Sequence, residues 1–274
     1  MRLRVDHETV YRFDPPMRGV VQSLRVSPSL CEGQQVIDWD VLVEGAERGA
    51  AFRDGAGDWV ETITLLGPVE NLTIQIRGHV ETVDTGGVLT GHREKMPPEA
   101  YLSATRATRA DRALEALASG AVAEIDSADA LARAHALCRA VSNAIAYTPG
   151  ETDHSTTASE ALALGHGVCQ DHAHAMIATA HHLGLPARYV TGYLFASEED
   201  GAHEASHAWA EIYVPDLGWV GFDPSNNSCP DDRYIRLGSG ADAAEAAPIR
   251  GVAQGAGEEH LEVRVAVDQV QAQQ

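Results

Sequence analysis

The sequence predicts an α+β protein: an antiparallel β module comes first, and a core of helices packed on a second antiparallel sheet follows. Three observations carry this. From Leu3 to about Val83 apolar residues recur at every second position, the period of a half-buried strand. Between about Arg106 and Leu183 the period lengthens to that of helices. Alternation then returns from Ser206 to Asp223, and once more from Leu261 to Val267.

The first module, residues 1–84, is read from the runs Leu3, Val5, His7, Thr9, Tyr11, then Ile37, Trp39, Val41, Val43, then Leu72, Ile74, Ile76. The clusters Asp14-Pro15-Pro16 and Asp54-Gly55-Ala56-Gly57-Asp58 are expected to be turns between strands, giving a sandwich or barrel-like sheet. Residues 85–104, with Thr85-Gly86-Gly87 at one end and Met96-Pro97-Pro98 near the other, read as a linker. Helices are predicted over roughly 106–118 and 128–146, and residues 105–274 are assigned to a catalytic domain that includes the last strand. That strand has the pattern to join a sheet, without indicating which one. The Ala/Gly-rich stretch around 238–257 reads as an irregular loop.

Composition narrows the function. With 274 residues the chain can bury a sizeable core. At 44% hydrophobic and 22% charged it is a folded, water-compatible protein. Its 40 acidic against 20 basic residues give a net charge of −20, which excludes nucleic-acid phosphate as a natural partner, though a cationic peptide would be attracted. No stretch approaches the roughly twenty apolar residues of a membrane span, so no membrane partner is expected. Met1 to His7 alternate like a strand instead of forming a signal-peptide apolar block. A cytoplasmic location is therefore expected, and four cysteines without tight spacing suit reduced thiols there.

One of those thiols stands out. Cys169 follows Gly165 and Gly167 and opens a run, Cys169, Ala173, Met176, Ile177, Ala180, Leu183, with helical spacing that Gly184 and Pro186 terminate. A nucleophilic cysteine acts as the thiolate, and the first turn of a helix, with unpaired N–H groups and a positive dipole end, favours that anion. The backbone N–H of Cys169 is also an oxyanion candidate. Downstream, His207 shares one face of an alternating run with Trp209, Glu211 and Tyr213. After a hairpin turn at Pro215-Asp216-Leu217-Gly218, Trp219, Gly221 and Asp223 share a face of the returning strand. A register joining odd to odd positions would bring Asp223 beside His207, and a one-residue slip would separate them. Cys169, His207 and Asp223 are thus the candidate catalytic triad of an acyl-transfer enzyme, with His207 moving the proton and Asp223 orienting it. Gln170, Trp209 and Tyr147 are cleft candidates, although packing is the ordinary role of such aromatics. Packing is also expected for Cys138, on the apolar stripe Leu131, Ala134, Cys138, Val141, Ile145, and for Cys31. Cys229 shares that packing expectation, with exposure as the alternative because it follows Asn226-Asn227-Ser228 in a loop.

The words around these residues resemble the bacterial branch of the transglutaminase-like superfamily. They are Thr156-Thr157, the Gly165 to Asp171 stretch, Gly184-Leu185-Pro186 through Tyr193, Ser206-His207-Ala208-Trp209 and Gly218-Trp219 through Pro224. The resemblance spans about residues 147–224, and the β-rich start looks like the region that commonly precedes this core. It implies a papain-like, transglutaminase-like catalytic core with Cys169, His207 and Asp223 in the catalytic positions, no cofactor, and a peptide or protein amide as substrate. Two places depart from the family pattern. His172 stands where an aromatic or aliphatic residue is commoner, and Ala241 and Ala243 stand where an arginine and a tyrosine are usual, in a segment that would bear on the substrate.

Hydrolysis by a cysteine peptidase or amidase is the expected activity. A glutamine transglutaminase with an amine acceptor shares the first half-reaction. A catalytically silent peptide-binding module is a further alternative, against which the intact triad counts. The histidines at 172, 174, 181, 182, 203 and 207 raise a metal site, but His172 and His174, two apart, point to different helix faces and no Cys-x-x-Cys pair occurs. No metal is expected.

Overall fold

The computed structural model describes residues 1–196 and 205–270. Two long antiparallel strands, β1 (Arg2–Leu24) and β4 (Trp59–Thr82), form the spine of a six-stranded sheet. On the far side of β4 lie β2 (Gln34–Val43), paired with its C-terminal half, and β3 (Glu47–Arg53), paired with its N-terminal half. Alternate β1 residues Leu3, Val5, His7, Thr9, Tyr11 and Phe13 are buried, as the period of two requires. The turn expected at 54–58 is present: Asp54 and Asp58 hydrogen bond to each other and Gly57 takes a left-handed φ of 85°.

The turn expected at Asp14-Pro15-Pro16 is not. β1 continues through it as an irregularity, its pairing with β4 interrupted between Arg12 and Met17 while Asp14 still pairs with Glu258 on the other side. Proline removes a ladder donor without forcing the chain to reverse. Residues 85–104 are likewise no free tether. Leu89 N–H donates to Trp219 O, Val88 bridges Val220, and Tyr101 is buried in a short 3-10 turn at Pro98–Leu102.

Helix α1 (Arg112–Ala121) begins later than periodicity predicts because Asp111 caps it, accepting from the N–H groups of Ala113 and Leu114. Helix α2 (Ala130–Ala144) is capped in the same way by Asp129. A two-residue strand β5 (Ala146–Tyr147), helix α3 (Ala158–Leu164) and a second short strand β6 (His166–Gly167) lead to α4 (Cys169–His182). A second sheet, in the order β10-β7-β8-β9, comprises β7 (Ala187–Leu194), β8 (Ser206–Val214), β9 (Gly218–Phe222) and β10 (Tyr234–Gly240).

Helix α4 is buried on two faces. Ala173, Met176, Ile177 and Ala180 pack on the second sheet against Ala187, Ala208, Ala210, Ile212 and Phe222. Ala175 and Ala178 pack against Leu114, Val141, Ile145, Ala158 and Ala161 of the other helices. Alanine at these positions lets the neighbours approach closely, so the start of α4 is held from both sides.

The 238–257 stretch, expected as a loop, contains β11 (Ile249–Gln254), paired with the C-terminal half of β1. The final strand β12 (Glu258–Gln269) pairs with the N-terminal half of β1. The chain therefore ends in the sheet in which it began. Leu3, Val5 and Val80 of that sheet share a core cluster with Tyr193, Ile235 and Leu237 of the second.

Candidate active site

Cys169 occupies the first position of α4. What places it there is the turn before it. Gly165 ends α3 with a left-handed φ of 71°, a conformation a side chain would strain, and its N–H returns to Ala161 O and Leu162 O. Gly167 is required for space: a Cβ there would lie 2.7 Å from the Cβ of Asp171. Asp171 is fully buried and accepts from the Val168 N–H at 2.8 Å and the Thr152 hydroxyl at 2.7 Å, which fixes the entry to the helix. The N–H groups of Asp171 and His172 turn back to Val168 O. Those of Cys169 and Gln170 stand at the helix start with no preceding turn to bond to.

The expected register between β8 and β9 is found. Glu211 pairs with Gly221 and Tyr213 with Trp219, odd with odd, so the end of β9 lies on the His207 face of β8. His207 Nε2 meets Asp223 Oδ2 at 2.7 Å, with both side chains buried. Asp223 is held further by the Ser225 hydroxyl at 2.5 Å, the Asn226 side-chain amide at 2.7 Å and the Tyr234 hydroxyl at 2.8 Å. Burial alone would raise its carboxyl, but hydrogen bonds from His207, Ser225 and Asn226, with the charge on His207, hold it well below the usual carboxylate range. Burial would depress the His207 ring. The hydrogen bonds and charges of Asp223 and Cys169 outweigh it and push the ring up to about 10. The Cys169 thiol therefore lies near enough to the ring to share in raising it, while Asp223 holds Nε2. The structure brings all three predicted residues together.

The cleft candidates divide. Trp209 is buried and stacks on His207, with ring centroids 6.5 Å apart and an interplanar angle of 26°. Tyr147 lies in β5, tilted against His172 at 6.3 Å. Gln170 is half-buried and its amide reaches His154 O only at 3.5 Å. Sequence reasoning missed Tyr234, whose ring is edge-on to both His207 and Trp209. It also missed Tyr189, buried and pushed well above its ordinary value by burial and then by Cys169, Asp171 and Asp242. Nothing in local spacing marks either residue, because strands distant in sequence deliver them.

The other histidines are occupied as hydrogen-bonding groups. His172 lies between Val168 O and Ile145 O, His174 Nε2 accepts from the Ala243 N–H, and His181 Nε2 meets Ala187 O. His182 meets the Ser119 hydroxyl, and His203 lies outside the described residues. Among the described residues, no group of three or more His, Cys, Asp or Glu is arranged to hold a metal ion. Of the remaining cysteines, Cys138 is buried on α2 as expected, Cys31 is half-buried, and Cys229, for which the sequence leaves packing and exposure both open, packs half-buried against the core. No helix among the described residues is long and apolar enough to cross a membrane.

A half-buried Cys at a helix start, beside a buried His and Asp carried by an antiparallel sheet, defines a class of thiol-centred α+β folds. Residues 116–224 match the transglutaminase-like superfamily and residues 3–81 match the bacterial transglutaminase-like N-terminal region, and the chain belongs to that family. A solved structure from Cytophaga hutchinsonii, described as a candidate cysteine protease, shares the fold with a TM-score of 0.74 at 22% identity, covering 100% of this chain and 92% of that one. An uncharacterised protein of Mycobacterium leprae is 28% identical over 97% of this chain and 98% of its own length. An uncharacterised protein of Mycobacterium tuberculosis is 40% identical over 115 residues, which cover 39% of this chain and 37% of the other.

Proposed function

We propose that the protein is a thiol-dependent acyl-transfer enzyme that cleaves an amide bond of a peptide or protein, with water as the final acceptor. The observation that carries this reading is the His207 ring, hydrogen-bonded to a buried carboxylate and near enough to the thiol of a helix-start cysteine for that group to help raise its titration. The position of Cys169 at a helix start beside His207 suits a thiol that attacks as its anion with the ring as its proton partner.

In the first half-reaction the Cys169 sulfur attacks the amide carbon. Charge builds on the carbonyl oxygen, for which the N–H groups at the start of α4 are the natural donors. His207 gives its proton to the departing nitrogen, the C–N bond breaks, and a thioester to Cys169 remains. In the second, His207 takes a proton from water, which attacks the thioester carbon and releases a carboxylic acid and the thiolate. Asp223 stays ionised throughout and holds the ring in orientation. Trp209, stacked on the ring, shields it from solvent.

The test is iodoacetamide labelling of the protein across pH 4 to 9, read by intact mass beside a Cys169→Ala control. Rapid labelling confined to Cys169, slowed about tenfold or more by His207→Ala at neutral pH, is expected. Equal rates in the wild type and His207→Ala would end the assignment. Peptide-library turnover in the presence of a primary amine then identifies the acceptor: release of free acid fits hydrolysis, and dominant amine incorporation would replace it with transfer.

A further inference from the structure

Strand β10 is the outer strand of the catalytic sheet. An edge strand offers unpaired N–H and C=O groups and is the element most prone to slip. Here the N-terminal module covers that edge with side chains. The Ser29 N–H donates to Arg236 O at 2.8 Å and its hydroxyl to Leu237 O at 2.9 Å. The Gln34 amide donates to Arg236 O at 2.8 Å and accepts from the Arg236 N–H at 2.9 Å, pairing with that peptide as a neighbouring strand would. Asp58 accepts from the Ser239 N–H at 2.7 Å and from Arg236 Nη1 at 2.9 Å. The clamp sits where pairing between β10 and β7 is itself irregular, between Arg236 and Gly238. Ser29, Gln34 and Asp58 are all buried.

Two residues before Arg236 stands Tyr234, whose hydroxyl bonds Asp223 and whose ring packs on His207 and Trp209. A slip of β10 by one residue would turn Tyr234 to the opposite face. We propose that the N-terminal β module is a positioning part of the active site: Ser29, Gln34 and Asp58 hold β10 in register, and β10 holds Tyr234 against Asp223 and His207. The proposal rests on the catalytic reading of Cys169, His207 and Asp223. Tyr234 acts through Asp223 and is a positioning residue, not a catalytic one.

The test uses the full chain with Tyr234→Phe, Gln34→Leu and the double variant. Each is measured by Cys169 labelling rate at neutral pH, by kcat and KM on a peptide found in the library screen, and by thermal midpoint. Tyr234→Phe keeps the ring and every contact of the N-terminal module, so its fold should persist. Ser29→Ala replaces Gln34→Leu should the latter not fold. Either single change is expected to lower kcat about tenfold with KM little changed, because misplacement at a distance degrades geometry more than binding. The double variant is expected to lose no more than the worse single, since both act through one strand. Cys169-dependent turnover within about twofold of wild type in Tyr234→Phe, or losses that multiply in the double variant, would overturn the positioning role alone. Turnover that survives Cys169→Ala would overturn the catalytic reading and the positioning role with it.

Discussion

Asp223 sets the character of the site because it is fully buried, ionised and surrounded by donors. Asp223→Asn keeps the shape and removes the charge. Without that charge only Cys169 still opposes burial at His207, and its titration falls from about 10 toward the ordinary 6.5, which histidine-ring NMR resonances would report. Turnover should fall at least about a hundredfold, as expected when a catalytic histidine loses its orienting carboxylate. An unchanged midpoint would show that Asp223 does not govern the ring. The same pair gives stability a pH window. His207 is raised in the folded state, so its contribution is fully present below the unfolded value near 6.5 and is lost as pH rises through about 10. Asp223 is lowered, so its contribution is present above about 3.8 and is lost as pH falls below that. The stability gap between wild type and Asp223→Asn should therefore be widest near pH 4 to 6.5 and close toward pH 10. A gap that grows above pH 8 would contradict the assignment.

At the scale of elements, the start of α4 depends on one carboxylate doing a capping residue's work, since Val168 has no side chain that can cap. Asp171→Ala would strand the half-buried Val168 N–H and Thr152 hydroxyl, at about 1 kcal/mol. It should also slow Cys169 labelling by letting the first turn fray. Gly167→Ala should do the same by pressing on Asp171. Thermal midpoints equal to wild type in both variants would show that the cap is dispensable. Much of this was legible in advance. The glycine bracket, the Gly184 stop and the parity of His207 and Asp223 follow from local periods and a four-residue hairpin, and the structure reproduces them. What stayed hidden comes from pairing between distant segments. Tyr234 reaches Asp223 only because β10 docks beside β7, which no local spacing encodes. The strand through Asp14-Pro15-Pro16 was obscured because proline signals a missing donor, and a paired strand on one side can tolerate that. β11 was obscured because its burial pattern is largely exposed, leaving no alternation to read.

Across the whole molecule the two sheets are joined by buried charge as well as by apolar contact. Glu211 on β8 bonds Arg188 Nε at 2.7 Å and Arg236 Nε at 2.9 Å, Arg236 reaches Asp58 in the first module, and Arg188 reaches Glu94 in the connecting segment. Arg188 also lies over the Trp219 ring at 4.0 Å. Burial would raise Glu211, but the charges of Arg236 and Arg188 and their hydrogen bonds bring it down to about 2. Its contribution is therefore present above its ordinary 4.5 and is lost as pH falls toward 2. Glu211→Gln leaves two buried guanidinium groups undercompensated and should cost about 3–5 kcal/mol, far more than the surface pairs contribute. Because β11 and β12 carry the chain back onto β1 after the second sheet, the first sheet is complete only when segments from both sides of the catalytic core are in place, and buried charge ties the second sheet to it. Calorimetry of the full chain at neutral pH should then give one transition, with calorimetric and van't Hoff enthalpies equal, and Glu211→Gln should move that single transition downward without splitting it. Two separate transitions in the wild type would mean that the modules fold independently and that the ion network only decorates their contact.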